Sequence, residues 1–253
     1  MRIGIFGVAG RMGRLLVEEA AAAGHSAVGL LRAGSLSDPV PGVTLAPDAG
    51  ALAARSDVVI DFTVASTAEA HATALESSGT PWVLGTSGLS IAQEARVAAA
   101  ARRIAIVYSA NFSPGITLLL QLAERMAAAL PPETYDAEII EMHHRQKVDA
   151  PSGTAVALGR AVARGRGVAL EDVTESGRDG HTGARRPGAI GFAAVRGGQV
   201  VGEHMLLFAG ASEHVALTHR AFDRRIFATG AVRAAGWAHG KMAGLYGMRD
   251  VMA

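Results

Sequence analysis

The chain has 253 residues, enough for one large core or two smaller ones, and its lack of cysteine excludes a disulfide framework and cysteine-ligated zinc. Apolar residues make up 49% and charged residues 19%, a globular composition, not a disordered one. A formal net charge of +1 gives no general case for nucleic acid or an anionic membrane surface as partner.

In chain order, Arg2 to Phe6 predicts a first strand. Its apolar stretch Ile3 to Phe6 breaks at Gly7, too short for a signal peptide or membrane span. With no cysteine, a cytoplasmic location is the expectation. Arg11 to Ala23 predicts a helix, with Leu15, Leu16, Ala20 and Ala23 at helical spacing and Gly24 as its stop. Ala27 to Leu31 and Asp57 to Phe62 predict the next strands. Val58, Val59 and Ile60 form a continuous apolar run of the doubly buried kind. A helix over Ser66 to Ser78, a strand over Trp82 to Leu84, a helix over Ala92 to Arg103 and a strand over Ile104 to Tyr108 complete the alternation. That pattern predicts a parallel sheet with crossover helices.

After Asn111 the pattern changes. A turn at Ser113-Pro114-Gly115 leads to a helix over Ile116 to Leu130, stopped by Pro131-Pro132. A strand over Ala137 to Met142 and a helix over Ser152 to Arg164 follow. A Gly-, Arg- and Asp-rich loop runs from Arg164 to Gly188. Gly191 to Arg196, Val200 to Phe208 and His214 to Thr218 predict strands whose short connections imply antiparallel pairing. Phe227 to Gly240 predicts a last helix returning to the first domain. The expected fold class is α/β: a Rossmann-type dinucleotide domain (1–112 plus 221–253) with a second α+β domain (113–220).

Gly7-Val8-Ala9-Gly10-Arg11-Met12-Gly13 joins the first strand to the first helix. A dinucleotide site needs glycines here for a tight turn, for backbone approach to pyrophosphate and for close helix packing. The helix start then offers N–H groups to the phosphates. The spacing is GxxGxxG, not GxGxxG, and an ordinary glycine-rich turn is the plain alternative. The second strand ends Leu30-Leu31-Arg32-Ala33, with no acid to hold a ribose 2′-hydroxyl. Arg32 is either a reader of a 2′-phosphate or a solvated charge.

The densest chemical signal is Glu141-Met142-His143-His144-Arg145-Gln146-Lys147-Val148-Asp149-Ala150-Pro151-Ser152-Gly153-Thr154. Two histidines, an arginine and a lysine follow a strand and precede a helix start at Ser152, Gly153 and Thr154. N–H groups at such a start bind carboxylate as readily as phosphate, so the cations suit an anionic substrate, including a dicarboxylate. A solvated charged loop is the alternative. The adjacent histidines lack HExxH spacing, so no metal is expected. No GxSxG elbow appears, which argues against covalent hydrolysis. Lysine occurs only at Lys147 and Lys241, and where lysine survives in an arginine-rich chain, arginine is the less suitable residue.

These segments resemble the 4-hydroxy-tetrahydrodipicolinate reductase family along nearly the whole chain. The landmarks are GVAGRMG from Gly7, Ile60-Asp61-Phe62-Thr63, Gly85-Thr86-Ser87-Gly88 and Ser109-Ala110-Asn111-Phe112-Ser113. His143 through Thr154, Gly180-His181-Thr182-Gly183, Val201-Gly202-Glu203-His204 and Gly247-Met248-Arg249-Asp250-Val251 extend the match. The resemblance implies reduction of a cyclic imine dicarboxylate with NADPH and/or NADH, in lysine biosynthesis through diaminopimelate. It implies that Gly7 to Met12 hold the cofactor pyrophosphate. Gly85, Thr86 and Ser87, with Ser109, Ala110, Asn111 and Phe112, would line the nicotinamide side and a domain hinge. His143 would be the acid/base residue and Lys147 the proton donor. His144, Ser152, Gly153 and Thr154 would bind substrate, Arg224 would approach the site, and the chain would form a homotetramer through the second domain. Gln146 stands where histidine is frequent, and Leu31 where some members carry an acid for NADH. The alternatives are an amino-acid imine reductase of the aspartate dehydrogenase kind and a non-enzymatic dinucleotide-sensing regulator.

Overall fold

The computed structural model describes residues 1–32 and 40–253. Ala33, beside Arg32 in the ribose-reading stretch, lies outside them. The chain divides into two compact units, Met1–Pro114 with Arg224–Ala253, and Gly115–Asp223.

The first unit begins β1 (Arg2–Phe6), α1 (Arg11–Ala22), β2 (Ser26–Leu30), β3 (Val43–Leu45), α2 (Ala49–Ala54) and β4 (Val58–Asp61). A 3-10 turn (Ala65–Thr67), α3 (Ala68–Ser78), β5 (Trp82–Leu84), α4 (Ile91–Ala100) and β6 (Ala105–Tyr108) follow. The fold is Rossmann-like: among the described residues the strands form one parallel sheet. Its order closes with a late strand beside β6 and runs on through β5, β4, β1, β2 and β3. The apolar runs are explained by burial on both faces: Ile3, Ile5, Val58 and Ile60 pack on one side, Phe6, Val59, Trp82 and Leu84 on the other. The strand order reverses between β4 and β1, and the glycine loop leaves β1 at that switch point.

The second unit contains α5 (Pro114–Ala129, which begins at the boundary), β7 (Asp136–His143), α6 (Gly153–Gly165), α7 (Leu170–Val173), β8 (Thr174–Ser176), β9 (Ile190–Arg196), β10 (Gly202–Ala209) and β11 (His214–Ala221). Helices α5 and α6 pack through Ala123, Ala127, Leu158 and Val162 onto Ile139, Phe192, Leu206 and Phe208 of the sheet. The chain then closes the first unit with α8 (Arg225–Ala238), β12 (Gly244–Tyr246) and α9 (Met248–Met252). Arg225 of α8 pairs with Glu18 and Glu19 of α1 at 2.6 and 2.7 Å, and Ala231, Ala234 and Ala235 join the core under β1.

Two expectations need correction. The last three strands of the second unit are not a run of antiparallel neighbours. The sheet order is β11-β10-β7-β9-β8, and β9 pairs with β7 in parallel. Only β10 is antiparallel to both its partners. The connection over 197–201 steps across the end of β7 instead of folding back as a hairpin. Gly197 N donates to His143 O at 2.9 Å, and Gly198 adopts φ +50°. Glycines here let the main chain close over the strand end. The stretch from Arg164 to Gly188 is also not wholly loop, because α7 and β8 lie within it.

Candidate active site

In the first unit, Gly7 turns the chain off β1 with φ +66°, and its N–H donates to Leu30 O at 2.9 Å. Gly10 N then donates to Gly7 O at 2.9 Å, and α1 starts on Gly10 with no side-chain cap. A helix start capped this way leaves its first N–H groups to an incoming anion. Val8 serves the core and is fully buried, while Gly10 and Arg11 are exposed. The uncapped helix start at the switch point of a parallel sheet fits a dinucleotide pyrophosphate. Arg32 follows β2 and is exposed, while Leu31 packs against the core.

The other cofactor candidates stand after neighbouring strands of the same sheet. Gly85 N donates to Asp61 O at 2.8 Å, and a Cβ on Gly85 would lie 2.5 Å from the Phe62 ring. Thr86 is buried and Ser87 exposed. Ser109 Oγ donates to Asn111 O at 2.7 Å, and Asn111 Oδ1 accepts from Ser113 N at 2.8 Å. Ala110 is exposed, but the Phe112 side chain is core and stands 5.4 Å from Phe62, ring centre to ring centre. Asp61 was not anticipated as a hub. It is fully buried; Oδ1 accepts from Thr63 N at 2.9 Å and Thr86 Oγ1 at 3.4 Å, while Oδ2 meets His71 Nδ1 at 2.7 Å. It therefore ties the end of β4 to the turn after β5.

In the second unit, alternation along β7 turns Ala137, Ile139, Glu141 and His143 to the buried face. His143 Nδ1 lies 2.5 Å from Glu141 Oε2. Arg196, at the end of β9, donates to both oxygens of Glu141 at 2.9 and 2.7 Å, and Ser152 N donates to Oε1 at 3.2 Å. Burial pushes the Glu141 carboxyl up, but the Arg196 and His143 hydrogen bonds outweigh it and hold the group below the usual carboxylate range. Burial also lowers the His143 pKa, more than Glu141 raises it, which favours the neutral imidazole.

Ser152 caps α6: its Oγ accepts from Ala155 N at 3.2 Å and meets His204 Nε2 at 3.0 Å. His204 comes from β10, in register opposite Glu141. Burial, with the nearby His143, takes its pKa down to about 3. Gly153 is exposed with open space where a Cβ would stand, and Thr154 is buried beside it. Lys147 Nζ donates to both oxygens of Asp149 at 2.8 Å. Burial pushes the Asp149 carboxyl up, but Lys147 outweighs that and lowers it. His144 is half-buried with Nδ1 sealed and unpartnered among the described residues, and its carbonyl accepts from Lys147 N at 3.1 Å.

The structure thus gathers His143, Ser152 and Thr154 at one strand end and helix start, with Lys147 on the loop between. Arg224 stands at the start of α8 in the first unit. Sequence reasoning gave no role to Glu141, Arg196, His204 or Asp149. Strand alternation offered a signal for Glu141, since residues i and i+2 of a strand share a face, while Asp149 and His204 stood inside quoted family landmarks without a role.

Residues 1–112 match the family described as Dihydrodipicolinate reductase, N-terminus, and residues 115–252 the one described as Dihydrodipicolinate reductase, C-terminus. The 4-hydroxy-tetrahydrodipicolinate reductase of Granulibacter bethesdensis is 64% identical, over 100% of this chain and 97% of its own. That of Gluconacetobacter diazotrophicus is 58% identical, over 100% and 97%. A dipicolinate-bound dihydrodipicolinate reductase from a Paenisporosarcina species superposes with TM-score 0.77 at 25% identity, covering 99% of this chain and 98% of that one.

Proposed function

The chain belongs to the dihydrodipicolinate reductase family, and from that premise we propose how its two units perform the reaction. The activity is reduction of 4-hydroxy-tetrahydrodipicolinate to tetrahydrodipicolinate with a nicotinamide dinucleotide, in lysine biosynthesis. The observation that carries the residue assignments is the strand end of His143 and Glu141 held against the capped start of α6. The matched residues take in both units, which favours this reading over an amino-acid imine reductase or a regulator. The test is consumption of NADPH with substrate generated enzymatically in the cuvette. No turnover above the substrate-free rate would overturn the reading.

Gly7, Val8, Ala9, Gly10, Arg11 and Met12 hold the pyrophosphate, chiefly through main-chain N–H groups. Gly85 to Ser87 and Ser109 to Phe112 border the nicotinamide. When bound, the cofactor supplies the hydride, and the protein supplies orientation, charge and protons. His144, Ser152, Gly153 and Thr154 take the substrate carboxylates, the last two through the start of α6. Lys147 donates a proton, and His143 serves as the acid/base partner.

NADPH is used at least as well as NADH. Leu31 presents no carboxylate to repel a 2′-phosphate, and the exposed Arg32 supplies a cation at the end of β2 to meet one. Arg32→Ala should lower kcat/KM for NADPH by about tenfold, the worth of one charge-assisted hydrogen bond, and leave NADH nearly unchanged. A wild-type preference for NADH of tenfold or more would remove Arg32 from this role.

The chain assembles as a homotetramer in the cytoplasm. The face of the second sheet away from α5 and α6 carries Ile140, Met142, Met205 and Leu207, with Val195 48% exposed. Glu138 with Arg178 and Arg185, and Glu203 with Arg220, form ion pairs beside this apolar centre. An apolar centre with a charged rim suits a symmetric interface. Light scattering should give four chains per particle, and a monomer at working concentration would overturn the assembly.

A further inference from the structure

We propose that Glu141, clamped by Arg196, is the positioning residue that sets the tautomer of His143 and aims its Nε2 as a hydrogen-bond acceptor. The inference rests on the reading of His143 as part of the reaction and deepens it.

Glu141 is 1% exposed, yet its two oxygens receive four hydrogen bonds. They come from three elements: β7, β9 and the residue that caps α6. A carboxylate only accepts, so the imidazole nitrogen facing it must carry the hydrogen. In its neutral form His143 is therefore the Nδ1–H tautomer, with a lone pair on Nε2. That nitrogen has no hydrogen-bond partner among the described residues and is not sealed from solvent. Position 202 matters for the same reason. A Cβ there would stand 3.0 Å from His143 Nε2, and glycine leaves that side clear.

Arg196 does more than neutralise charge. Its Nη2 also donates to Asp149 O at 2.7 Å, so one guanidinium fixes both Glu141 and the main chain of Asp149. Asp149 in turn holds Lys147 Nζ. His143 and Lys147 are thus referred to one buried anchor. The tautomer divides their roles: His143 offers a lone pair that receives or orients a donor, and Lys147 is left as the donor. A purely structural ion pair would account for Glu141 and Arg196 but predicts nothing about the ring.

The experiment combines imidazole NMR and kinetics on the full chain. In protein labelled with 15N-histidine, the His143 signals, identified by their loss in His143→Gln, should report Nδ1–H in the wild type. Glu141→Gln should lose that pattern. Its kcat should fall by about 10²-fold, the lower end of general acid–base help, with KM for substrate within about threefold. Combining Glu141→Gln with His143→Gln should add no further loss, because the two act as a unit. An Nε2–H ring in the wild type, a Glu141→Gln enzyme with near wild-type kcat beside a crippled His143→Gln, or fully additive losses would each overturn the proposal. If Glu141→Gln does not fold, the wild-type spectrum still decides the tautomer. An undiminished His143→Gln enzyme would instead be the failure of the catalytic reading above.

Discussion

Replacing Lys147 with arginine should lower kcat by about 10²-fold or more, within the usual range for a lost general acid, while KM for substrate changes by only about threefold. Lysine and arginine share charge, but arginine keeps its proton under ordinary conditions, whereas a site can bring a lysine into range for transfer. The geometry makes the substitution informative. Lys147 Nζ meets both oxygens of Asp149 at 2.8 Å, and a guanidinium forms that bidentate pair at least as well. The loop from His144 to Asp149 therefore keeps its tether, and a loss of turnover reports the proton.

The rival reading makes Lys147 an electrostatic anchor for a substrate carboxylate. It expects arginine to serve nearly as well in kcat, with the change concentrated in KM. Lys147→Ala is the companion variant, since it removes charge and proton together and should impair both parameters. Binding of a substrate-like dicarboxylate, measured by calorimetry, separates affinity from turnover. A near wild-type kcat for Lys147→Arg would withdraw the proton-donor role and turn attention to a water held by His143.

The first unit was legible because its signals are local. Val58 to Ile60 is a continuous apolar run, α1 shows helical spacing, and the glycine loop joins them. The three-residue strands β3 and β12 were missed because they are partly exposed and carry no continuous apolar run, unlike the equally short but wholly buried β5. The order of the second sheet was hidden for a different reason. Short connections normally mean neighbours, but residues 197–201 pass across the end of β7 to reach its other side. That crossing also delivers the unread half of the site. His143, Lys147 and Ser152 lie in one stretch of sequence, whereas Arg196 reaches Glu141 from 55 residues away and His204 reaches Ser152 from 52. Nothing local marks a buried carboxylate's distant partners. Strand alternation puts Glu141 on the face of His143, and the landmark Val201-Gly202-Glu203-His204 contains His204, but neither says which groups meet.

Gly13→Ala should abolish most dinucleotide binding while leaving a folded chain of reduced stability. Gly13 sits in the first turn of α1, and its missing Cβ is where the helix meets the loop. A methyl there would stand 2.4 Å from Gly7 O, 2.5 Å from Val8 O and 2.6 Å from Val8 C. All three are main-chain atoms, so no side chain can swing aside. Relief requires the loop to lift off the helix, but Val8 is fully buried in the core and anchors it. Such overpacking typically costs about 1–3 kcal/mol, and the displaced loop no longer aims its N–H groups at one phosphate position. Gly10→Ala is the graded comparison, because its nearest contact would be 3.1 Å from Gly7 O. Fluorescence titration with NADPH should give Kd weakened by at least about tenfold, the equivalent of the lower part of that strain. Thermal unfolding should fall in the same order, wild type above Gly10→Ala above Gly13→Ala. A Gly13→Ala protein that binds NADPH as tightly as wild type would show that the pyrophosphate does not rest on this helix start.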